Sequence, residues 1–130
     1  MLKCRLLRAV VLVLMLSFAM TATAYGSLTQ KLAFPDSQLE KAVRRTAGKA
    51  SGALTHADVK ALVELDASGR GISNLRGIEA LTSLTVLGLM NNRISNAAPL
   101  SKLTKLTVLD LRNNKVRDFS PVAKIKGVRR

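Results

Sequence analysis

Displaced by 22 residues, the second half of this chain falls on itself with its apolar positions in register. Leu62, Leu84 and Leu106 coincide, as do Leu65, Leu87 and Leu109, then Ala67, Leu89 and Leu111, then Ile72, Ile94 and Val116. Three further columns run Leu75, Ala97, Phe119; Ile78, Leu100, Val122; and Leu81, Leu103, Ile125. No polar residue interrupts them. A period of this length means one small structural unit per copy, and such a unit cannot enclose its own leucines. The copies must therefore stack and share a core. Full burial of one leucine contributes about 1.5 to 3 kcal/mol, so the columns supply most of the drive to fold.

Within the copies the strand-forming part reads L-x-x-L-x-L-x-x-N-x-I over 84–94 and L-x-x-L-x-L-x-x-N-x-V over 106–116, which is the leucine-rich repeat pattern. Alternation in Leu87-Gly88-Leu89 and Leu109-Asp110-Leu111 sends leucines inward and the residues between them to the opposite face. The fold class that follows is an α/β solenoid with a short parallel β-sheet. Asn92 and Asn114 stand where the chain turns out of the strand. An inward carboxamide there can bond the backbone groups the turn leaves open, so the two are read as a structural asparagine ladder. The first copy carries Arg70 at that position and is an atypical, cap-like repeat.

The first 24 residues read differently. Lys3, Arg5 and Arg8 precede an apolar run from Ala9 to Met20 broken only by Ser17, and Ala22-Thr23-Ala24 follows. This is the pattern of a cleavable signal peptide, with cleavage between Ala24 and Tyr25. The run is well short of the ~20 residues that span a bilayer as a helix, so no stable membrane span is expected after cleavage. The localisation implied is secreted, periplasmic or cell-envelope. The net charge is +13 for the whole chain and +10 after residue 24, where 18 basic residues face 8 acidic ones. The single cysteine, Cys4, lies ahead of the cleavage point, and His56 is the single histidine. Neither a disulfide framework nor a Cys/His metal centre can be assembled, and no metal or cofactor is implied.

Between the leader and the repeats, residues 25–33 show no period and read as a flexible lead. A helical cap over 34–61 follows. Asp36 can cap a helix whose Leu39, Ala42, Val43 and Ala47 share one face, and Gly48 is placed to end it. Thr55 with Asp58 has the spacing of a capping box, which predicts a second helix through Val59, Leu62 and Val63. Three repeats then occupy 62–83, 84–105 and 106–127, with a short basic tail to residue 130.

The run Phe34-Pro35-Asp36-Ser37-Gln38-Leu39-Glu40-Lys41-Ala42-Val43, then Leu54-Thr55-His56-Ala57-Asp58-Val59, then Leu65-Asp66-Ala67-Ser68-Gly69-Arg70-Gly71-Ile72, resembles the N-terminal cap of internalin-like bacterial leucine-rich repeat proteins. The 22-residue copies that follow are similar to theirs as well. That resemblance implies a secreted or surface-exposed curved scaffold that binds another protein on its concave face. The chain departs from the family in its three repeats and in lacking a following immunoglobulin-like region or a cell-wall sorting signal.

On that register the outward strand residues form three columns on the concave face: Glu64, Val86, Val108; Asp66, Gly88, Asp110; and Ser68, Met90, Arg112. Two valines and a methionine among acidic and basic groups suit a contact with a protein partner. No catalytic residue is assigned. Asp66 and Asp110 fall two strand spacings apart, roughly 9.5 Å, too far to share a proton, and no pocket surrounds them. Two other readings stand beside protein binding. One is a structural or truncated solenoid without a specific ligand. The other is a basic surface for anionic envelope components, since residues 84–130 hold 10 basic and 2 acidic groups. Export and the 3% aromatic content argue against nucleic acid as a partner. Val128 falls in the column of Leu62, Leu84 and Leu106, where a fourth strand would begin, so the last repeat reads as uncapped and open to self-association.

The register makes a direct prediction for stability. Leu87→Ala or Leu109→Ala should each cost about 2 to 5 kcal/mol, read as a lowered midpoint in thermal unfolding; an unchanged transition in both would contradict the stacking.

Overall fold

The computed structural model describes residues 30–130. The expected signal peptide and residues 25–29 of the lead lie outside the described residues. Within 30–130 the order is a helix, α1 (Ser37–Ala47), a short helix, α2 (His56–Val59), and then four strands: β1 (Glu64–Asp66), β2 (Val86–Gly88), β3 (Val108–Asp110) and β4 (Gly127–Arg129). The strands pair in parallel in the order β1-β2-β3-β4. Short 3₁₀ segments at Ile78–Ala80, Ala98–Lys102 and Ser120–Val122 carry the chain back between strands, and successive ones pack on each other.

Each element has a local cause. The Asp36 side chain accepts from the amides of Gln38 (3.0 Å) and Leu39 (3.3 Å), which α1 cannot satisfy within itself. Its second oxygen takes the amides of Ser73 (2.9 Å) and Asn74 (3.2 Å), so one carboxylate starts the cap helix and ties it to the first repeat. Burial pushes its titration upward, but these four amides together hold the carboxyl below the ordinary range. Gly48 ends α1 in the left-handed conformation at φ 68°. Leu39, Ala42 and Val43 are the buried face of α1. At α2, the Asp58 carboxylate accepts from the Thr55 amide and hydroxyl, both at 2.7 Å. Lys49 reaches it at 2.8 Å, and the ammonium with Thr55 draws the carboxyl down to about 2.

In three places the fold departs from the sequence expectation. First, α2 ends at Val59 rather than continuing through Leu62 and Val63. Leu62 turns into the core while Val63 is 50% exposed, because the chain must already extend toward β1 at Glu64. Second, residues 31–33 of the lead are tied down: Lys31 forms an antiparallel bridge with Thr55, and the Leu32 amide donates to the Leu54 carbonyl at 2.7 Å. Third, β4 arrives early. Val128 pairs with Leu109, so it continues the column Leu65, Leu87, Leu109 and not that of Leu62. Successive strands up to β3 are 22 residues apart, whereas Leu109 and Val128 are 19 apart. The three missing residues are those between Ile125 and the strand, where the previous turn has Thr104, Lys105 and Leu106. Gly127 allows this tight entry, since a Cβ there would lie 2.5 Å from the Thr107 carbonyl oxygen. Its amide instead donates to that oxygen at 3.0 Å.

The core is one cluster running from Phe34 and Leu39 in the cap through the leucine columns to Val122. Leu65, Leu87 and Leu109 are all buried, as are Ile72 and Ile94 one turn later. Asn92 is also buried, at 7% exposure, and its carboxamide is fully engaged. Oδ1 accepts from the amides of Arg70 (3.1 Å) and Ile72 (3.0 Å), and Nδ2 donates to the carbonyls of Ala67 and Leu89, both at 2.9 Å. Asn114 repeats the arrangement one copy on, accepting from the Ile94 amide and donating to Leu89 and Leu111. At position 70 the arginine supplies no such carboxamide, and its Nε is buried without a hydrogen-bond partner.

A residue earlier, Gly69, Asn91 and Asn113 all have positive φ, at 66°, 58° and 56°. This left-handed step turns the chain out of each strand, and asparagine is the residue other than glycine that most readily adopts it. Asn113 Nδ2 donates to Asn91 Oδ1 at 2.7 Å, a second and exposed row of carboxamides beside the buried one.

Asn92→Ala should therefore be among the most damaging polar substitutions in the chain. It orphans two amides and two carbonyls in the core, a loss on the order of 3 kcal/mol. Asn114→Ala, with one amide fewer to orphan and a less buried site, should lose less in the same chemical denaturation experiment.

Candidate binding face

Parallel pairing carries the outward residues of the strands into rows. Glu64 stands beside Val86, Val108 and Gly127, and Asp66 beside Gly88, Asp110 and Arg129. Ser68, Met90 and Arg112 follow two residues further along their chains. The face expected to bind is thus continuous over four strands. Glu64, Asp66, Val108 and Arg112 are exposed, whereas Ser68, Val86, Met90 and Asp110 are half-buried. Val108 is 37% exposed and pairs with Val86, so the two form an apolar pair in the central strands, with Met90 four residues beyond Val86 on the same side.

Charged groups on this face are positioned by their neighbours. Asp66 Oδ1 accepts from the Ser68 amide at 3.0 Å. The Ser68 hydroxyl and amide hold the Asp66 carboxyl below the ordinary range. Asp110 is gripped by Arg112, whose Nε lies 3.0 Å from Oδ1 and whose terminal nitrogen lies 2.7 Å from Oδ2. That guanidinium keeps the Asp110 carboxyl low as well. The two carboxylates do not approach each other, since β2 and Gly88 separate them. The arrangement offers no shared proton and no poised acid and base.

Two residues of this face were not singled out in the sequence, Gly127 and Arg129. Both arrive through β4, whose early start a constant 22-residue period hides. The cue was available in Gly127 and Val128, a glycine followed by a β-branched residue after the Ile125 column. Asn92 and Asn114 do not face outward at all. They lie behind the strand ends and hold the turns.

Three clefts in the described surface lie away from the sheet face. One of about 490 Å³ borders Arg44, Arg45, Gly48 and Lys49 at the end of α1, and a second of about 380 Å³ borders Phe34, Glu40 and Ala53. The third, about 180 Å³, runs between Leu100, Leu103, Pro121 and Ile125. None includes a residue of the three outward columns. Among the described residues no group of three His, Cys, Asp or Glu side chains is placed to hold a metal ion. No described helix is long and apolar enough to cross a membrane.

Comparison with known proteins fits this geometry. A family model described as leucine-rich repeats in two copies matches residues 82–124. An internalin (inlF) from Listeria monocytogenes is 32% identical with a TM-score of 0.67, over 73% of this chain and 29% of that one. The functional domain of InlJ from Listeria monocytogenes is 30% identical with a TM-score of 0.66, over 75% of this chain and 23% of that one. A structure of the CBM51-2 and INT domains from Clostridium perfringens ZmpB is 33% identical with a TM-score of 0.58, over 63% of this chain and 17% of that one. The chain spans less than a third of the length of each. No curated protein sequence matches it.

The electrostatics of the face can be checked by titration. Because the folded pKa values of Asp66 and Asp110 are depressed, the stability they lend is present above the unfolded value of about 3.9 and lost as pH falls through the folded values. Carboxyl NMR midpoints should lie below 3.8 for both residues. Ser68→Ala should raise the Asp66 midpoint and leave that of Asp110 in place.

Proposed function

Taking the chain as an internalin-like leucine-rich repeat protein, we propose that it is an exported binding module that holds another protein against the outer face of its sheet and performs no catalysis. The observation that carries this reading is the make-up of that face. Apolar side chains at Val86 and Val108 stand side by side on the two central strands with Met90 further along, and charged groups at Glu64, Asp66, Arg112 and Arg129 flank them. An apolar centre with a polar rim is the usual anatomy of a protein contact. A small-molecule site is instead concave and encloses its ligand, and the clefts described above lie elsewhere. The separation of Asp66 from Asp110, and the grip of Arg112 on the latter, support binding over acid–base chemistry.

Export is supported by the sequence of residues 1–24, with its basic start, apolar run and small residues before Tyr25. The resemblance to internalin-like proteins carries the same expectation of a place outside the cytoplasm and of a protein as ligand.

Affinity capture on the full chain tests the surface. Val86→Lys combined with Val108→Lys places two ammonium groups in the apolar centre and should weaken retention of the captured partner by about tenfold or more. Thermal unfolding of the variant should stay close to that of the parent. Undiminished capture would move the binding surface off the sheet.

A further inference from the structure

Charge on the outer face changes in order from strand to strand. β1 presents two carboxylates, Glu64 and Asp66. The β2 segment presents Val86, Gly88 and Met90, without charge. On the β3 segment Asp110 is neutralised by its forked contact with Arg112. β4 presents Arg129. The face therefore has an acidic end, an apolar middle and a basic end, separated by three strand spacings or about 14 Å.

Gly88 sharpens the acidic end. Its backbone does not need glycine, because its φ lies outside the left-handed region. The side chains beside it do. A Cβ at position 88 would stand 2.9 Å from Asp66 Oδ1 and 3.2 Å from Ser68 Oγ. The Asp66 carboxylate leans across β2 into the space that a side chain would fill. Its charge is thus set against the apolar patch and not turned away from it. A glycine within a strand also lets another chain come close to the backbone.

Resting on the reading of this face as a protein-binding surface, we infer that it is matched to a segment laid across the strands with a lysine or arginine over β1 beside Glu64 and Asp66, an apolar side chain above Val86 and Val108, and a carboxylate opposite Arg129. The aliphatic stem of the basic residue packs on the apolar patch while its head reaches Asp66 and Glu64. A wholly acidic segment, drawn in at long range by the net positive charge of the chain, meets Glu64 and Asp66 as like charges. A wholly basic one meets Arg129 and the same net charge as repulsion. The mixed order satisfies both ends, and like-charge contacts are what exclude the other two.

An extended chain advances about 3.4 Å per residue, so the basic and acidic residues of such a segment stand four positions apart with the apolar one midway on the same side. Three capped peptides serve as probes: Lys-Ser-Leu-Ser-Glu, Glu-Ser-Leu-Ser-Glu and Lys-Ser-Leu-Ser-Lys. Each is titrated into the full chain labelled with nitrogen-15, with the amides of Gly88, Asp110 and Arg129 as reporters. The mixed peptide should bind about fivefold more tightly than either of the others. Asp66→Asn and Gly88→Ala should each abolish that preference, the first by removing the charge and the second by displacing it; the two variants act independently, so misfolding of one leaves the other decisive. Equal binding of all three peptides on the sheet face would overturn the charge order and leave protein binding by that face in place. Absence of any shift along β1 to β4 with all three would overturn both.

Discussion

Inside the core of this chain the carboxamide of Asn92 takes two amide protons from the turn before it and gives two of its own to carbonyls on either side. The leucine columns can pack only if the backbone bends sharply after every three-residue strand, and each bend delivers polar groups into an apolar interior. Left open, those groups would oppose the leucines. A carboxylate could only accept, and a hydroxyl has one proton for two carbonyls, so neither could meet both amides and both carbonyls at once. One side chain at 92 and its counterpart at 114 resolve the conflict for two turns each.

What the interior satisfies, the outer face is released from. Backbone groups of the strands are paired along the sheet, and the strand entries are tied by Thr85 and Thr107, whose hydroxyls donate to the carbonyls of Val63 and Thr85 at 3.2 and 3.0 Å. The turns are held by buried and exposed rows of asparagine. The cap is tied to the stack by Asp36. None of these tasks falls on Val86, Met90, Val108 or Arg129. Their identities are free to be set by what the face touches, and this is how a repetitive scaffold comes to carry an individual surface. Gly88 is the informative exception, since its lack of a side chain sets where the Asp66 charge lies.

Most of the scaffold was legible because it repeats. The pairing of Leu65 with Leu87 and of Leu87 with Leu109 follows from a constant offset and strand alternation, and with it the placing of Glu64, Val86 and Val108 in one row. The limits of α1 were legible too, since Asp36 and Gly48 act locally. What the sequence concealed was non-local or aperiodic. The early arrival of β4 breaks the offset through a backbone contact at Gly127, so the cue in Gly127 and Val128 falls outside the 22-residue register. The bridge from Lys31 to Thr55 joins segments that share no pattern. The left-handed row at Gly69, Asn91 and Asn113 was masked by its neighbour, because two consecutive asparagines read as one polar turn until their opposite tasks are separated.

The ties between successive turns have a consequence for how the chain reaches this state. Asn92 and Asn114 bond partners 20 and 25 residues earlier in the sequence, and the threonine hydroxyls bond carbonyls 22 residues back. Every rung thus closes a loop of nearly one size, and the entropic cost of closure is much the same for each. Nothing in the stack waits for the two ends of the chain to meet. Folding can proceed as a zipper, in which a completed turn is the template for the next and the only slow event is forming the first. With Asp36 joining helix to repeat at that first turn, the cap is positioned to be the seed from which the zipper runs.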